Sequence, residues 1–135
     1  MTFFFDNCLS HKYAVMIRDA HGDDVRVLKH HFPPDTADVV WLQEIGRLGW
    51  VLVTEDKNIR RKPQERQALY LSKVTAFFLS KSFGELKLLE KGLALVTVWP
   101  KIQATTANCQ PGSIFNVTVR GEVTALQHYH EPVQG

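Results

Sequence analysis

Three aspartates stand where short runs of chain could bring carboxylates together. Asp6 cuts off the apolar run Thr2 to Phe5, Asp56 follows the run Trp50 to Thr54, and Asp38 sits just inside a segment opening at Thr36. Three carboxylates at close range cannot all stay ionised unless a cation offsets their repulsion. Ligands that are all oxygen favour a hard ion, Mg²⁺ or Mn²⁺. One or two such ions could polarise a phosphodiester, activate water and stabilise the leaving oxygen. Each acid also has a plainer role. Asp38 suits the positive end of a helix dipole, Asp35 beside it could do the same or serve as a ligand instead, and loops are rich in Asp.

Whether the acids meet depends on the elements that carry them. Strands are expected at Thr2 to Phe5, Asp24 to Leu28, Trp50 to Thr54 and Thr75 to Leu79. Helices are expected from Leu9 to Ala20, with Ser10 as N-cap and His21-Gly22 as the stop, and from an N-cap at Thr36 to Gly49. A further helix opens at Pro63, which suits the first helical position, and runs to Ser72. A fourth opens at Ser82, where Ser82 to Glu85 has the capping-box form, and continues until Pro100 ends or kinks it. Segments Ile114 to Val119 and Glu122 to Leu126, with Arg120-Gly121 as the turn, read as a hairpin, followed by a tail beyond His128. Strands alternating with helices imply a mainly parallel sheet covered on both faces. In such a sheet, sites form at the carboxyl ends of the strands. Asp6 and Asp56 lie just past strand ends, and a helix following a strand starts at that same edge, so Asp38 joins them.

The chain of 135 residues reads as one domain, with a hairpin and tail over about 112–135. A net charge of +2 is too small to argue for nucleic-acid binding, so the placement of charge must carry that argument. The basic run Arg60-Arg61-Lys62, with Arg66 one helical turn on, follows directly after Asp56 and could contact phosphates. Lys57 could neutralise a scissile phosphate or simply pair with Glu55 or Asp56. Cys8 and Cys109 show no metal or disulfide spacing and read as reduced thiols of a cytoplasmic protein. No signal peptide or membrane span is visible. The pairs His30-His31 and His128-His130 lack zinc-motif spacing. Trp41, Trp50 and Trp99 read as core. Glycine-rich phosphate loops and the G-x-S-x-G elbow are absent from the sequence.

The segment Phe4-Phe5-Asp6-Asn7-Cys8-Leu9-Ser10 resembles the opening of short PIN-like domains. His31-Phe32-Pro33-Pro34, with Thr36, Asp38, Trp41 and Leu42, resembles the approach to their second acidic helix. Gly49 to Lys57 resembles their "strand, Thr, x, Asp, Lys" block, and Ile59 to Pro63 with Glu65-Arg66 continues the likeness. It spans roughly residues 3 to 100 and is nearest to the VapC-like toxins of bacterial toxin–antitoxin loci. The resemblance implies a three-layer α/β/α fold with a central mainly parallel sheet and metal-dependent cleavage of RNA. It also implies a protein antitoxin as partner, and a homodimer is a further option. It matches Asp6, Asp38 and Asp56 to the acidic positions and Thr54 to a supporting hydroxyl, with Asn7, Lys57 and Asn58 beside them. Two departures stand out. The extra acid-bearing helix of longer members is missing, and Asn58 replaces a further Asp.

Two other readings compete. One is a degenerate PIN-like module that binds RNA or protein without cutting, favoured by the shortened acid set. The other is a phospho-receiver-like domain, with Asp56 after its third strand. Such domains place an acidic pair after strand 1, where this chain has Asp6-Asn7.

Overall fold

The computed structural model describes residues 1–126. The expected tail and the His128-His130 pair lie outside the described residues. Six strands form one sheet: β1 (Thr2–Phe5), β2 (Asp24–Val27), β3 (Val51–Thr54), β4 (Ala76–Leu79), β5 (Ile114–Val117) and β6 (Val123–Ala125). Their order is β2-β1-β3-β4-β5-β6. All neighbours are parallel except β5 and β6, which form the expected antiparallel hairpin. Its turn closes where Gly121, at φ 86°, donates its N–H to the Thr118 carbonyl at 2.9 Å.

The helices are α1 (His11–His21), α2 (Asp38–Leu48), α3 (Asn58–Arg61), α4 (Pro63–Leu71), α5 (Lys81–Gly84) and α6 (Leu88–Asn108). Side chains alternate along each strand, which divides the core in two. Phe3, Phe5, Val51, Val53 and Phe77 pack against Ile17 of α1 and Leu95, Trp99 and Ile102 of α6. Phe4, Leu52, Ala76 and Phe78 pack against Trp41, Leu42 and Ile45 of α2 and Leu69 of α4. Helices therefore cover both faces, giving the expected three layers. Trp41 and Trp99 are fully buried, one in each half of the core, and Trp50 is half-buried against the half that holds Trp41.

The local corrections have physical causes. Ser10 caps α1 through the Lys12 N–H, as expected. Thr36 does not cap α2, because its hydroxyl instead donates to the Pro33 carbonyl at 2.7 Å, and the helix starts at Asp38 behind Ala37. The basic run after Asp56 opens in a helix, where Asn58 to Arg61 make one turn of their own. The helix expected from Ser82 breaks after Gly84, and Ser82 Oγ meets Ser80 Oγ at 2.6 Å. Helix α6 then begins at Leu88, where Glu90 accepts the Lys87 N–H.

Pro100 neither ends nor interrupts α6. Proline has no N–H to give the carbonyl four residues back, which is Val96. That carbonyl lies 2.8 Å from His21 Nε2, at the last residue of α1. A side chain thus replaces the missing helical donor, and α6 runs on to pack Trp99 and Ile102. The indole of Trp99 also donates to Asp23 Oδ2 at 2.7 Å. The helices approach closely at Gly92, where a Cβ would stand 2.7 Å from the Met16 sulfur. Among the described residues, no helix is long and apolar enough to cross a membrane.

Candidate active site

The strand order reverses between β1 and β3, because β2 lies on one side of β1 and β3 on the other. Ligands of open α/β sheets collect outside the carboxyl ends of strands at such a switch point. The β1–β3 register pairs Phe5 with Val53, so one residue further on Asp6 comes alongside Thr54. The Thr54 hydroxyl donates to Asp6 Oδ2 at 2.9 Å. The same hydroxyl oxygen accepts the Asp56 N–H at 2.9 Å. Asp56 in turn accepts the Asn58 N–H on Oδ1 at 2.9 Å, an Asx turn that launches α3. One buried hydroxyl therefore links the ends of β1 and β3 and orients two of the acids.

Asp6 is only 6% exposed and Thr54 is fully buried. Burial raises the Asp6 carboxyl from an ordinary 3.8 to about 6. Hydrogen bonds from Cys8 and Thr54 oppose the rise, and the negative charges of Asp56 and Asp38 add to it. Asp6 and Asp56 follow the carboxyl ends of β1 and β3, and Asp38 opens α2. Asp38 is oriented by its own neighbour, accepting the Trp41 indole N–H on Oδ1 at 2.9 Å. Yet the three are not drawn into a tight cluster. Among the described residues, no group of three His, Cys, Asp or Glu side chains stands close enough to hold a metal ion. The donor chemistry suits a hard cation, since it is all carboxylate and carries mutual repulsion.

Several residues at this edge escaped sequence reasoning. Cys8 is an exposed residue by surface, but its sulfur lies 2.7 Å from Asp6 Oδ1, 3.3 Å from the Thr54 hydroxyl and 3.2 Å from the Glu55 N–H. Burial of that sulfur, then the charge of Asp6 and the hydrogen bond to it, push the thiol up to about 12. Glu55 turns away from the acids and pairs with Lys91 of α6 at 2.7 Å, with both side chains largely buried. Beside Asp6 opens a small cleft of about 110 Å³, whose lining includes Asn7, Ser10, His11 and Lys29. The segment before Cys8 gave a signal only for Asp6 and Asn7. Lys29 and Lys91 reach the edge from elements distant in sequence, which no local pattern announces.

The basic residues after Asp56 divide. Lys57 precedes α3 and is half-buried, while Arg61 and Lys62 are exposed. The Arg60 guanidinium lies over the Phe78 ring at 5.3 Å, and its buried Nε has no hydrogen-bond partner among the described residues. Burial, then the charge of Arg61, lowers its pKa.

An α/β/α domain with acids at its switch point is the class that this fold and site define. The family model described as PIN like domain matches residues 1–81, and the chain belongs to that family, whose members are generally nucleases. No curated protein and no solved structure matches the chain. Membership in the PIN-like family sets the phospho-receiver reading aside.

Proposed function

We propose that this chain is a metal-dependent endoribonuclease of the VapC-like kind, the toxin of a toxin–antitoxin pair. The observation that supports it most is the Asp6–Thr54–Asp56 linkage at the switch point, where burial keeps a carboxylate whose ionised form needs a cation. Asp6, Asp56 and Asp38 would hold Mg²⁺ or Mn²⁺. The bound ion supplies Lewis acidity toward the phosphodiester and lowers the pKa of water. Thr54 fixes the Asp6 rotamer and holds the Asp56 backbone. Asn7 and Asn58 flank the acids, and Lys57 offsets charge on the scissile phosphate. Arg61, Lys62 and Arg66 take neighbouring phosphates, and Arg60, propped on Phe78, presents its outer nitrogens to the same strand.

The test is cleavage of single-stranded RNA by purified protein with Mg²⁺ or Mn²⁺. Activity should vanish with EDTA and in Asp6→Asn. Wild-type protein that binds RNA but never cuts it would favour the degenerate module, to which the open spacing of the three acids already lends weight. For the partner, Leu88, Leu89 and Leu93 stand exposed on the first turns of α6. An apolar strip of this sort suits an antitoxin helix, or a second copy of the chain. Co-expression with a neighbouring small reading frame should bury the strip and silence the nuclease.

A further inference from the structure

A second cleft, of about 340 Å³, runs between α1 and the open edge of β2. It is lined by His11 and Arg18 from α1, Asp24 and Arg26 from β2, and His30 and His31 from the turn after it. His11, Ala14 and Arg18 share one face of α1, and the small Ala14 leaves the space between the other two open. The helix rise sets His11 and Arg18 about 10 Å apart along the axis. His11 and His30 face each other across the mouth, with ring centroids 5.9 Å apart.

The charge of this cleft is one-sided. Among the described residues Asp24 is its one acid, and it is already engaged, accepting Arg26 Nε at 2.8 Å and the Thr2 hydroxyl at 3.0 Å. Those bonds, the one from Arg26 foremost, hold its carboxyl below the usual range. Arg26 is steadied further by the Trp50 ring at 5.7 Å. Arg18, whose charge also helps hold the Asp24 carboxyl down, and the three histidines complete the polar lining. His31 lies 3.5 Å from Arg26, and burial, then the charges of Arg26 and His30, lower its pKa. A bound anion would offset those charges and favour the protonated ring. Among the described residues β2 pairs only with β1, so its outer amides add donors along the same wall.

The cleft also leads to the acids. His11 and Val27 line both this cleft and the small one at Asp6, where Lys29 stands as a further cation. We infer that the cleft along β2 is a phosphate-binding groove that holds the RNA backbone on the side of Asp6 opposite α3, through Arg18, His11, His30 and His31. This rests on the nuclease reading for its substrate, but not for its own test. A polyanion is favoured over a peptide strand adding to β2, because the wall facing the strand edge is cationic rather than apolar.

The experiment is binding of a fluorescent oligouridylate in EDTA, where no metal-dependent cleavage intervenes. It is run in the wild-type and Asp6→Asn backgrounds, the second removing the acid that titrates near the histidines. Affinity should rise several-fold from about pH 8 to about pH 6, the range in which a bound anion draws protons onto neighbouring imidazoles. Arg18→Gln should weaken binding about 5-fold and reduce the salt slope by about 0.7, the value for one single-strand phosphate. The triple variant His11→Gln, His30→Gln, His31→Gln should lose the pH effect. Its Arg counterpart at the same three positions should bind at pH 8 as tightly as wild type does at pH 6. Unchanged affinity, salt slope and pH effect in the Gln variants would overturn the groove, even if the protein cuts RNA with metal. Binding with these dependences in a protein that never cuts would keep the groove and remove the nuclease.

Discussion

Thr54 and Asp6 meet at 2.9 Å through a hydroxyl that also accepts the Asp56 N–H, so one hydroxyl, donor to one strand end and acceptor for the other, joins the two. The Thr54–Asp6 bond makes the site sensitive to loss of a single oxygen. Thr54→Val should destabilise the fold by about 1–3 kcal/mol, because a buried carboxylate loses a donor and the Asp56 N–H loses its acceptor. It should also push the Asp6 pKa higher still, since the hydrogen bond now holds it down. Thr54→Ser keeps the hydroxyl and should cost only about 1 kcal/mol for the methyl. Denaturation across pH separates the two: equal profiles for both variants would remove the hydroxyl's role.

The raised Asp6 carboxyl has a definite signature in stability. Its folded value of about 6 lies above the ordinary 3.8, so the folded state binds more protons between those pH values. Stability from this group is therefore complete below about pH 4 and is lost as pH rises through 6, by about 3 kcal/mol in total. Asp6→Asn should flatten that part of the profile. Relative to wild type, the variant should gain stability from acid to neutral pH in metal-free buffer. A difference curve without slope in this window would mean that Asp6 is ordinarily ionised.

Cys8 offers a chemical probe of the same charge. A thiol at about 12 leaves about one thiolate in ten thousand at pH 8, and the thiolate is the nucleophile. Alkylation of Cys8 by iodoacetamide should be slow despite its exposed position. Asp6→Asn removes the second and third causes of the shift, the carboxylate's charge and its hydrogen bond, so labelling should accelerate several-fold. Peptide mapping distinguishes Cys8 from Cys109. Equal labelling rates in both proteins would place the sulfur outside the field of Asp6.

The scaffold was more legible than the site, for reasons visible in particular residues. Buried parallel strands such as Val51 to Thr54 announce themselves as continuous apolar runs. The alternation of strands with helices then put Asp6 and Asp56 at one edge before any contact was seen. What pattern could not reveal depends on partners distant in sequence. Thr36 carries the right side chain for a cap, but the Pro33 carbonyl captures its hydroxyl. Cys8 gains its environment only when β3 lies beside β1. Pro100 has the local mark of a helix end, and His21 overrides it from the far end of α1.

That last compensation can be measured as a coupling. His21→Ala should destabilise by about 1 kcal/mol, leaving the Val96 carbonyl without a donor. Pro100→Ala restores the helical N–H, so His21 should become dispensable. A double-mutant cycle should return a coupling of about 1 kcal/mol. Additive losses would mean that water serves Val96 as well as His21 does.

Proton and cation compete for Asp6 if the acid is a metal ligand, and this competition distinguishes a catalytic site from a relic. A cation binds the ionised carboxylate, so Mg²⁺ or Mn²⁺ should pull the folded-state value of Asp6 downward from about 6. In thermal denaturation, added metal should raise the melting temperature at pH 7 and lose that effect below pH 5, where Asp6 is protonated. RNA cleavage should rise with pH through the same range, and its acid limb should move to lower pH as the metal concentration increases. Asp38→Asn and Asp56→Asn should each weaken the metal effect, because an amide keeps the shape without offsetting a divalent charge. They should also lower the Asp6 value slightly in metal-free buffer, since each removes a charge that raises it. Asp6→Asn should abolish both metal stabilisation and cleavage. A melting curve indifferent to the cation at every pH, in a protein that still binds RNA, would place this chain among the modules that have kept the fold and lost the metal.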